Sequence, residues 1–350
     1  MIKTSFPSTP AINIINHLMF LWFMKCVKVP KKKAESVKKK LIESNNFNFE
    51  YIPLVENDYV YFPIKFKTDL PVVEKEFKKI EKKPTSLKEV LKNKVPEDLI
   101  PKGFEVVGDI AIIEIPEEIK NYESLIGKTL LSLHKNIKVV AKKASHYEGQ
   151  FRTRKLKIIA GENRKETIHK ENNVRLKLNP ETCYFSPRLS TERRRIIDLI
   201  QPNEIILVMF SGVGPYPITI AKNTQAKEII GVEINPDAHK YAEENLKLNK
   251  VKNVKLYNGD VNEVVPKLNK KFDRILMPLP KTAEEFLPLA LEVSHTGTII
   301  HMYDFLHEKD IPDKVIEKVK NVIPKAKILN IVKCGQYSPG KFRVCIDFSV

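Results

Sequence analysis

The stretch 207-LVMFSGVGPYPITIA-221 decides the fold. An apolar run breaks at Gly212 and Gly214, and a helix-forming run opens on Pro215. Read locally, this is a strand, a glycine turn and a helix with proline in its first turn, where the missing N–H is not needed. At the carboxyl end of a parallel strand such a turn lets the backbone come close to a ligand, because glycine has no Cβ and accepts positive φ.

The residues that follow turn one strand into a sheet. Strands are expected over 204–210, 227–234, 253–258, 272–278 and 297–304, with helices between them. The clearest helix is 236–249, with Asn235 as N-cap, Pro236 at its first position, and Ala238, Tyr241, Ala242 and Leu246 on one face. A helix over 311–323 and strands over 327–334 and 342–350 close the chain. Alternating units imply an α/β fold with a doubly wound, Rossmann-like sheet. The terminal hairpin, its last strand inserted antiparallel, brings the sheet to seven strands.

Four strand tips carry ligand chemistry. The first holds Phe210, Ser211, Gly212 and Gly214. The second holds Glu233 and Ile234, nineteen residues after Gly214, where an acid accepts both hydroxyls of a ribose. The third is 258-NGD-260 with Val261, where Asp260 can reach an adenine amino group. The fourth is 277-MPLP-280, opening on Met277 and Pro278.

Two smaller α+β units precede this sheet unit, which spans 189–350. The first, 24–95, reads as a strand at KCVKVP, a helix over 32–45, a hairpin over 50–66 turning at Glu56-Asn57-Asp58, and charged helices over 72–83 and 85–95. The second, 96–188, reads as paired strands over 104–115, a helix over 116–134, a strand over 136–143 and a hairpin over 166–180. Asn172-Asn173 forms its turn, since asparagine tolerates positive φ. Residues 1–23 are expected to be a non-native or disordered extension, with Met24 opening an ordinary cytoplasmic start. Their apolar run 18-LMFLWFM-24 is far short of the ~20 residues a membrane helix needs, and no signal-type cleavage site follows it.

The totals narrow the chemistry. A net charge of +17 on 350 residues favours an anionic partner, most simply nucleic acid. Cys26, Cys183, Cys334 and Cys345 form no CxxC pair, which suits reduced thiols better than a zinc site or a disulfide framework. No cluster of residues demands a metal.

The order glycine turn, ribose acid, NGD and proline-rich tip resembles class I S-adenosyl-L-methionine (AdoMet) dependent methyltransferases over 189–350. A longer resemblance begins upstream. The segments 151-FRTRKLKIIAGENRKETIHKENNVRLKL-178 and 183-CYFSPRLSTERRRII-197 resemble the archaeal and eukaryotic tRNA (guanine-37, N1)-methyltransferases, and the likeness spans nearly all of 24–350. It implies AdoMet as methyl donor and a tRNA held at its anticodon loop and, by the first unit, at its outer corner. It implies a cytoplasmic, monomeric enzyme with no membrane or metal. Position 37 must leave its stack to enter a pocket. N1 of guanine then loses a proton as the methyl arrives, which calls for a base and for charge stabilisation at O6. By resemblance Glu192 is that base and Arg152 the group at O6. Arg193 joins the cofactor or a phosphate, Arg154, Arg188 and Lys281 meet RNA, and Tyr184 or Phe185 packs on the flipped base.

Plainer readings of the same residues are that Ser190 or Thr191 caps a helix whose dipole Glu192 offsets, and that Arg152 and Arg154 face solvent or phosphate from a strand. The chain departs from the family at two positions: Val208 stands where an Asp is usual, and Met277 opens the tip where an Asn-Leu/Pro-Pro run is usual. The first implies that backbone near Phe210 and Ser211 holds the methionine end of AdoMet. The second suits a bulkier acceptor, because an archaeal branch also methylates C7 of the tricyclic wyosine precursor at position 37. Other readings are aminocarboxypropyl transfer in wyosine biosynthesis and a catalytically silent tRNA-binding protein.

Overall fold

The computed structural model describes residues 21–80, 84–145 and 147–350. They divide into two compact units, Met1–Pro84 and Thr85–Val350.

In the first unit, β1 (Leu21–Pro30), α1 (Ala34–Glu43), β2 (Leu54–Glu56), β3 (Tyr59–Pro63) and β4 (Val72–Lys78) build an antiparallel sheet of order β2-β3-β1-β4. Alternation along β1 sends Val27 and Val29 to the side of Leu41 and Phe62, and Cys26 to the side of Tyr61 and Phe77. The hairpin turns as expected, with Asn57 at φ 49°. The helix expected over 72–83 is not there. Residues 72–78 are a strand, paired with β1 from Leu21↔Lys78 to Val27↔Val72. The alternation Val73, Lys75, Phe77 carries the strand signal, and it was masked by charged residues between: Phe77 is buried while Glu74, Glu76 and Lys78 are exposed. The same pairing makes 21–23 part of the sheet; the remainder of the expected extension, 1–20, lies outside the described residues, as do 81–83.

The second unit opens with α2 (Leu87–Leu91), β5 (Phe104–Val107), β6 (Ile110–Ile113), α3 (Glu123–Leu133), β7 (Val139–Lys143) and β8 (Leu156–Gly161), the strands forming a sheet in that order. Leu87, Leu91 and Val95 share a core with Ala111, Ile113, Ile126 and Leu130. The helix placed by sequence at the end of the first unit therefore packs in the second, because its apolar residues need that core. Strand β8 was not foreseen.

Next come β9 (Thr167–Glu171), β10 (Val174–Leu178), α4 (Ser190–Leu199), β11 (Ile205–Met209), α5 (Pro215–Asn223), β12 (Glu228–Glu233), α6 (Pro236–Asn249), β13 (Val254–Asn258) and α7 (Val261–Lys267). The chain ends with β14 (Phe272–Met277), α8 (Leu287–Glu292), β15 (Ser294–His307), α9 (Asp313–Val322), β16 (Lys327–Ser338) and β17 (Lys341–Ser349). The seven-stranded sheet has the order β13-β12-β11-β14-β15-β17-β16, with β17 antiparallel to both neighbours, as the sequence implied. Core residues cover both faces, Met209, Ile275 and Met277 on one and Val208, Leu276 and Tyr303 on the other.

The β9–β10 hairpin turns at Asn172 (φ 40°) and Asn173 (φ 63°). Sequence placed it with the middle unit, but it lies against α6. Two buried asparagines one helical turn apart act as a strand edge for it. Asn245 accepts from Lys177 N–H at 2.7 Å and donates to Lys177 C=O at 2.9 Å. Asn249 does the same for Arg175 at 2.8 and 2.7 Å. Each satisfies backbone groups that burial would otherwise leave without partners.

Strand geometry in β4 predicts alternating sensitivity. Phe77→Ala should cost about 3–5 kcal/mol, and Glu76→Ala should stay within roughly 0.5 kcal/mol, measured by denaturant unfolding of the full chain. Equal costs at both positions would contradict the strand.

Candidate active site

The first tip is built from residues in the left-handed region: Phe210 (φ 57°), Gly212 (φ 56°) and Gly214 (φ 84°). This conformation turns the chain sharply from β11 into α5. Gly212 has open space where a Cβ would stand, the nearest atom being 3.9 Å away, so a ligand can approach its backbone. At Gly214 a Cβ would lie 2.8 Å from Ile218 Cδ1, so this glycine serves helix packing instead.

Around the tip is a cleft of ≈ 390 Å³, within the roughly 300–1,000 Å³ typical of small-ligand sites. Phe210, Gly212, Glu233, Ile234, Asp260, Val261 and Pro278 line it, as sequence proposed. The Glu233 carboxylate accepts from Gly212 N–H at 2.6 Å and Asn235 N–H at 2.9 Å. Burial raises its pKa, opposed by those backbone donors. Asp260 caps α7 through Asn262 N–H at 2.8 Å. Leu279 of the fourth tip lines the cleft as well, and Gln150, Phe151 and Phe286, which were missed, complete that wall. Phe286 reaches it by an edge-on contact with Phe210, 4.9 Å between ring centres, which no local pattern announces.

Several expected residues are elsewhere. Met277 is the last residue of β14, and its side chain points into the core. The tip that faces the cleft is Pro278-Leu279-Pro280, so the family's Asn-Leu/Pro-Pro run is to be set against these three, with Pro278 in place of Asn. Ser211 is buried, its N–H bound to Val232 C=O at 2.9 Å. Arg193 is also buried. Its guanidinium pairs with both carboxylate oxygens of Glu171 and donates to Ser186 C=O at 3.1 Å, so it holds the hairpin to α4 rather than a cofactor. Phe185 is a core residue beside His169.

Arg152, Tyr184 and Lys281 line the cleft and, at the same time, a second cleft of ≈ 630 Å³ beside it. Arg152 lies over the Tyr184 ring, 4.4 Å from its centre. Arg188 is exposed on the second cleft, and Arg343 bonds Tyr184 Oη at 3.0 Å. Arg154 lines it too, but is buried and paired with Glu105 at 2.9 Å. Arg152, Arg188, Lys281 and Arg343 have no carboxylate partner among the described residues, so this cleft is strongly positive.

Glu192 lies on neither cleft wall. It is buried in the first turn of α4, three residues beyond Leu189 of the basic cleft. Arg195 grips its carboxylate at 2.7 and 2.8 Å, and Tyr303 donates to it at 2.7 Å. The network continues through Arg195 to Asp347 at 2.5 Å, then to His301 Nδ1 at 2.6 Å, and on from His301 Nε2 to Arg274 at 2.7 Å. Arginine can only donate and a carboxylate can only accept. His301 is therefore neutral, donating from Nδ1 and accepting at Nε2. Its pKa is lowered, by burial first, with Asp347 opposing. Asp347 would be raised by burial, but His301 and Arg195 hold it well below the usual range. His301, Cys345 and Asp347 lie within ligating reach of one another; the guanidiniums of Arg274 and Arg195 already occupy the ring nitrogen and the carboxylate.

A seven-stranded sheet of this order, a glycine turn at its first tip and an acid at its second define a class I methyltransferase fold. The comparisons make this specific. The TRM5/TYW2 methyltransferase domain matches residues 167–332, the TYW2 N-terminal domain 87–164, and the tRNA methyltransferase 5 N-terminal domain 26–69. The chain is 42% identical over 332 residues to tRNA (guanine(37)-N(1))-methyltransferase Trm5b of Pyrococcus abyssi, covering 93% of this chain and 98% of that one. It is 35% identical over 302 residues to the tRNA (guanine(37)-N(1))/4-demethylwyosine(37)-methyltransferase Taw22 of Nanoarchaeum equitans, covering 70% and 98%. The crystal structure of P. abyssi Trm5b matches with a TM-score of 0.82 at 41% identity, over 93% of this chain and 99% of that one. The complex of aTrm5 with tRNALeu matches at 0.77 and 34% identity, over 93% and 99%. The chain belongs to the Trm5 family of tRNA methyltransferases, which shares its methyltransferase domain with TYW2. Among the described residues no helix is long and apolar enough to cross a membrane.

The His301 arrangement makes stability pH-dependent. The unfolded chain takes up a proton below about pH 6.5 that the folded chain refuses, so stability is full above that value and falls as pH drops. The slope should be up to about 1.4 kcal/mol per pH unit for one proton. His301→Gln keeps one donor and one acceptor but does not titrate. Melting temperatures between pH 7.5 and 5 should fall less steeply for this variant than for the parent; parallel slopes would assign the effect to another group.

Proposed function

We propose that this chain transfers a methyl group from AdoMet to N1 of guanosine-37 in tRNA, acting as a cytoplasmic monomer. The observation that carries the reading is the junction of the two clefts at Arg152, Tyr184 and Lys281. One cleft has the acids and open backbone that suit a nucleoside; the other has the unpaired cations and aromatics that suit RNA.

The residues present fit AdoMet. Glu233 keeps free acceptor sites for ribose hydroxyls, Asp260 stands at the third tip for the adenine amino group, and the exposed backbone of Phe210 and Gly212 is left for the methionine end. When bound, AdoMet supplies an electrophilic methyl. Arg152 stabilises negative charge developing on O6 of the guanine, and Tyr184, already flanked by Arg152, packs on the flipped base. Glu192 takes the N1 proton. For this its carboxylate must leave Arg195 and Tyr303 and turn toward the cleft past Leu189, an exchange that entry of the acceptor would have to drive. The first unit meets the tRNA outer corner, separately from the anticodon loop. The apolar tip Pro278-Leu279-Pro280 favours a second acceptor, the tricyclic wyosine precursor, because it offers no side-chain amide to a guanine edge.

Incubation with labelled AdoMet and transcripts carrying G37, A37 or the tricyclic precursor, followed by nucleoside mass analysis, tests both. N1-methylguanosine from G37 alone supports the first reading; product only from the precursor replaces it with the second. Glu192→Gln should lower turnover by ~10²–10⁴-fold with AdoMet affinity little changed, assayed well below a melting temperature that should itself fall, because the amide cannot accept both Arg195 donors; undiminished turnover of the folded variant would remove the base role. Arg152→Ala should lower turnover more than tRNA affinity, and a pure affinity loss would make it a phosphate clamp.

A further inference from the structure

The terminal hairpin carries a feature that the assigned roles do not use. Tyr337, near the end of β16, is 54% exposed, yet its ring packs on Phe305 with centres 4.2 Å apart and planes 36° from parallel. Arg343 of β17 lies over the other aromatic of that pair, its Cζ 5.1 Å from the Phe305 centre, and its Nη2 donates to Tyr184 Oη. A continuous row results: Arg152, Tyr184, Arg343, Phe305, Tyr337. It runs from the wall of the cofactor cleft along the basic cleft to the hairpin.

A second observation points to a ligand. Arg343 Nε is buried and has no hydrogen-bond partner. A buried donor left unsatisfied costs roughly 1–3 kcal/mol, and because the Arg343 side chain also lines the cleft, a phosphate or base carbonyl there would relieve it once the guanidinium turns toward the ligand.

We propose that Tyr337, backed by Phe305 and flanked by Arg343, is a stacking platform for the nucleotide next to the one inserted in the cleft. The proposal rests on the tRNA reading above. Extruding one base leaves its neighbours without a stacking partner, and an aromatic face beside cations takes any base, because every base has a π-face. Single-stranded RNA is the occupant favoured here, because the cations along this cleft outnumber its one acid, Glu105.

The test uses the full chain and anticodon stem-loop transcripts. Tyr337→Ala should raise KM for RNA about tenfold, the change falling on KM rather than kcat, while Tyr337→Trp restores it. A transcript abasic at position 36 or at position 38 should show the same penalty on the parent enzyme and no added penalty on Tyr337→Ala. An unchanged KM, or penalties that simply multiply, would overturn the platform. A 2-aminopurine at the same flanking position gives a readout without turnover: its fluorescence should be quenched on binding the parent and not Tyr337→Ala. If the parent makes no product from G37, the proposed acceptor falls, and this fluorescence difference still decides the platform.

Discussion

The side chain and carbonyl of Glu233 hold three of the four tips together. Its carboxylate ties the first tip through Gly212 and its own tip through Asn235, while its C=O accepts from Gly259 at 3.0 Å and from Asn258 Nδ2 at 2.7 Å in the third. This is open to it because β12 lies between β11 and β13 in a parallel sheet, so the three carboxyl ends emerge side by side. A carboxylate has about four acceptor sites, and backbone donors take two. What remains can face a ligand, so one acid both builds the cleft and reads what enters it.

The opposite face of the sheet is organised by buried charge rather than by a ligand. Asp347 of β17 joins Arg195 of α4 to His301 of β15, and Arg274 of β14 extends the chain to Glu204 at 2.8 Å. Charges this deep are tolerable only when each is paired and hydrogen-bonded. Val208 belongs to this face, packed with Tyr216, Tyr303 and Cys345. The hydroxyls of those tyrosines bond each other at 2.8 Å, and Tyr303 bonds Glu192. An aspartate at 208 would add a carboxylate to the pocket that already holds Glu192, and two nearby acids disfavour each other's ionisation. Valine is therefore consistent with the network around it.

The seven-stranded sheet with its antiparallel last strand and most of the cleft were legible because they rest on local patterns: strand runs, an N-cap at Asn235, glycines where φ is positive. What was not legible depends on partners distant in sequence. Arg193 looked available until Glu171, across the β9–β10 hairpin, claimed it. Asn245 and Asn249 looked like ordinary helix residues, and only the fold shows them completing a strand edge. The shift from Met277 to Pro278 is a matter of strand period: one residue decides whether a side chain enters the core or the cleft. In β4 the alternation was present but overwritten by lysine and glutamate, which are as common in helices.

The net charge of +17 is not spread evenly. Inside, arginines are neutralised: Arg193 by Glu171, Arg195 by Glu192 and Asp347, Arg274 by Glu204. Along the basic cleft, Arg152, Arg188, Lys281 and Arg343 have no such partner among the described residues. Contacts to phosphate position an RNA without reading its sequence. Cations that meet phosphate therefore add affinity and register without reading a base, and discrimination falls to the groups that line both clefts. Arg152, stacked on Tyr184, and Lys281 are the two charged side chains that line both clefts, and Pro278, Leu279 and Pro280 of the fourth tip line the first cleft with them. On the acceptor reading proposed above, Arg152 and Lys281 stand beside a tip whose Pro278, Leu279 and Pro280 offer no side-chain amide that would select against a bulkier ring.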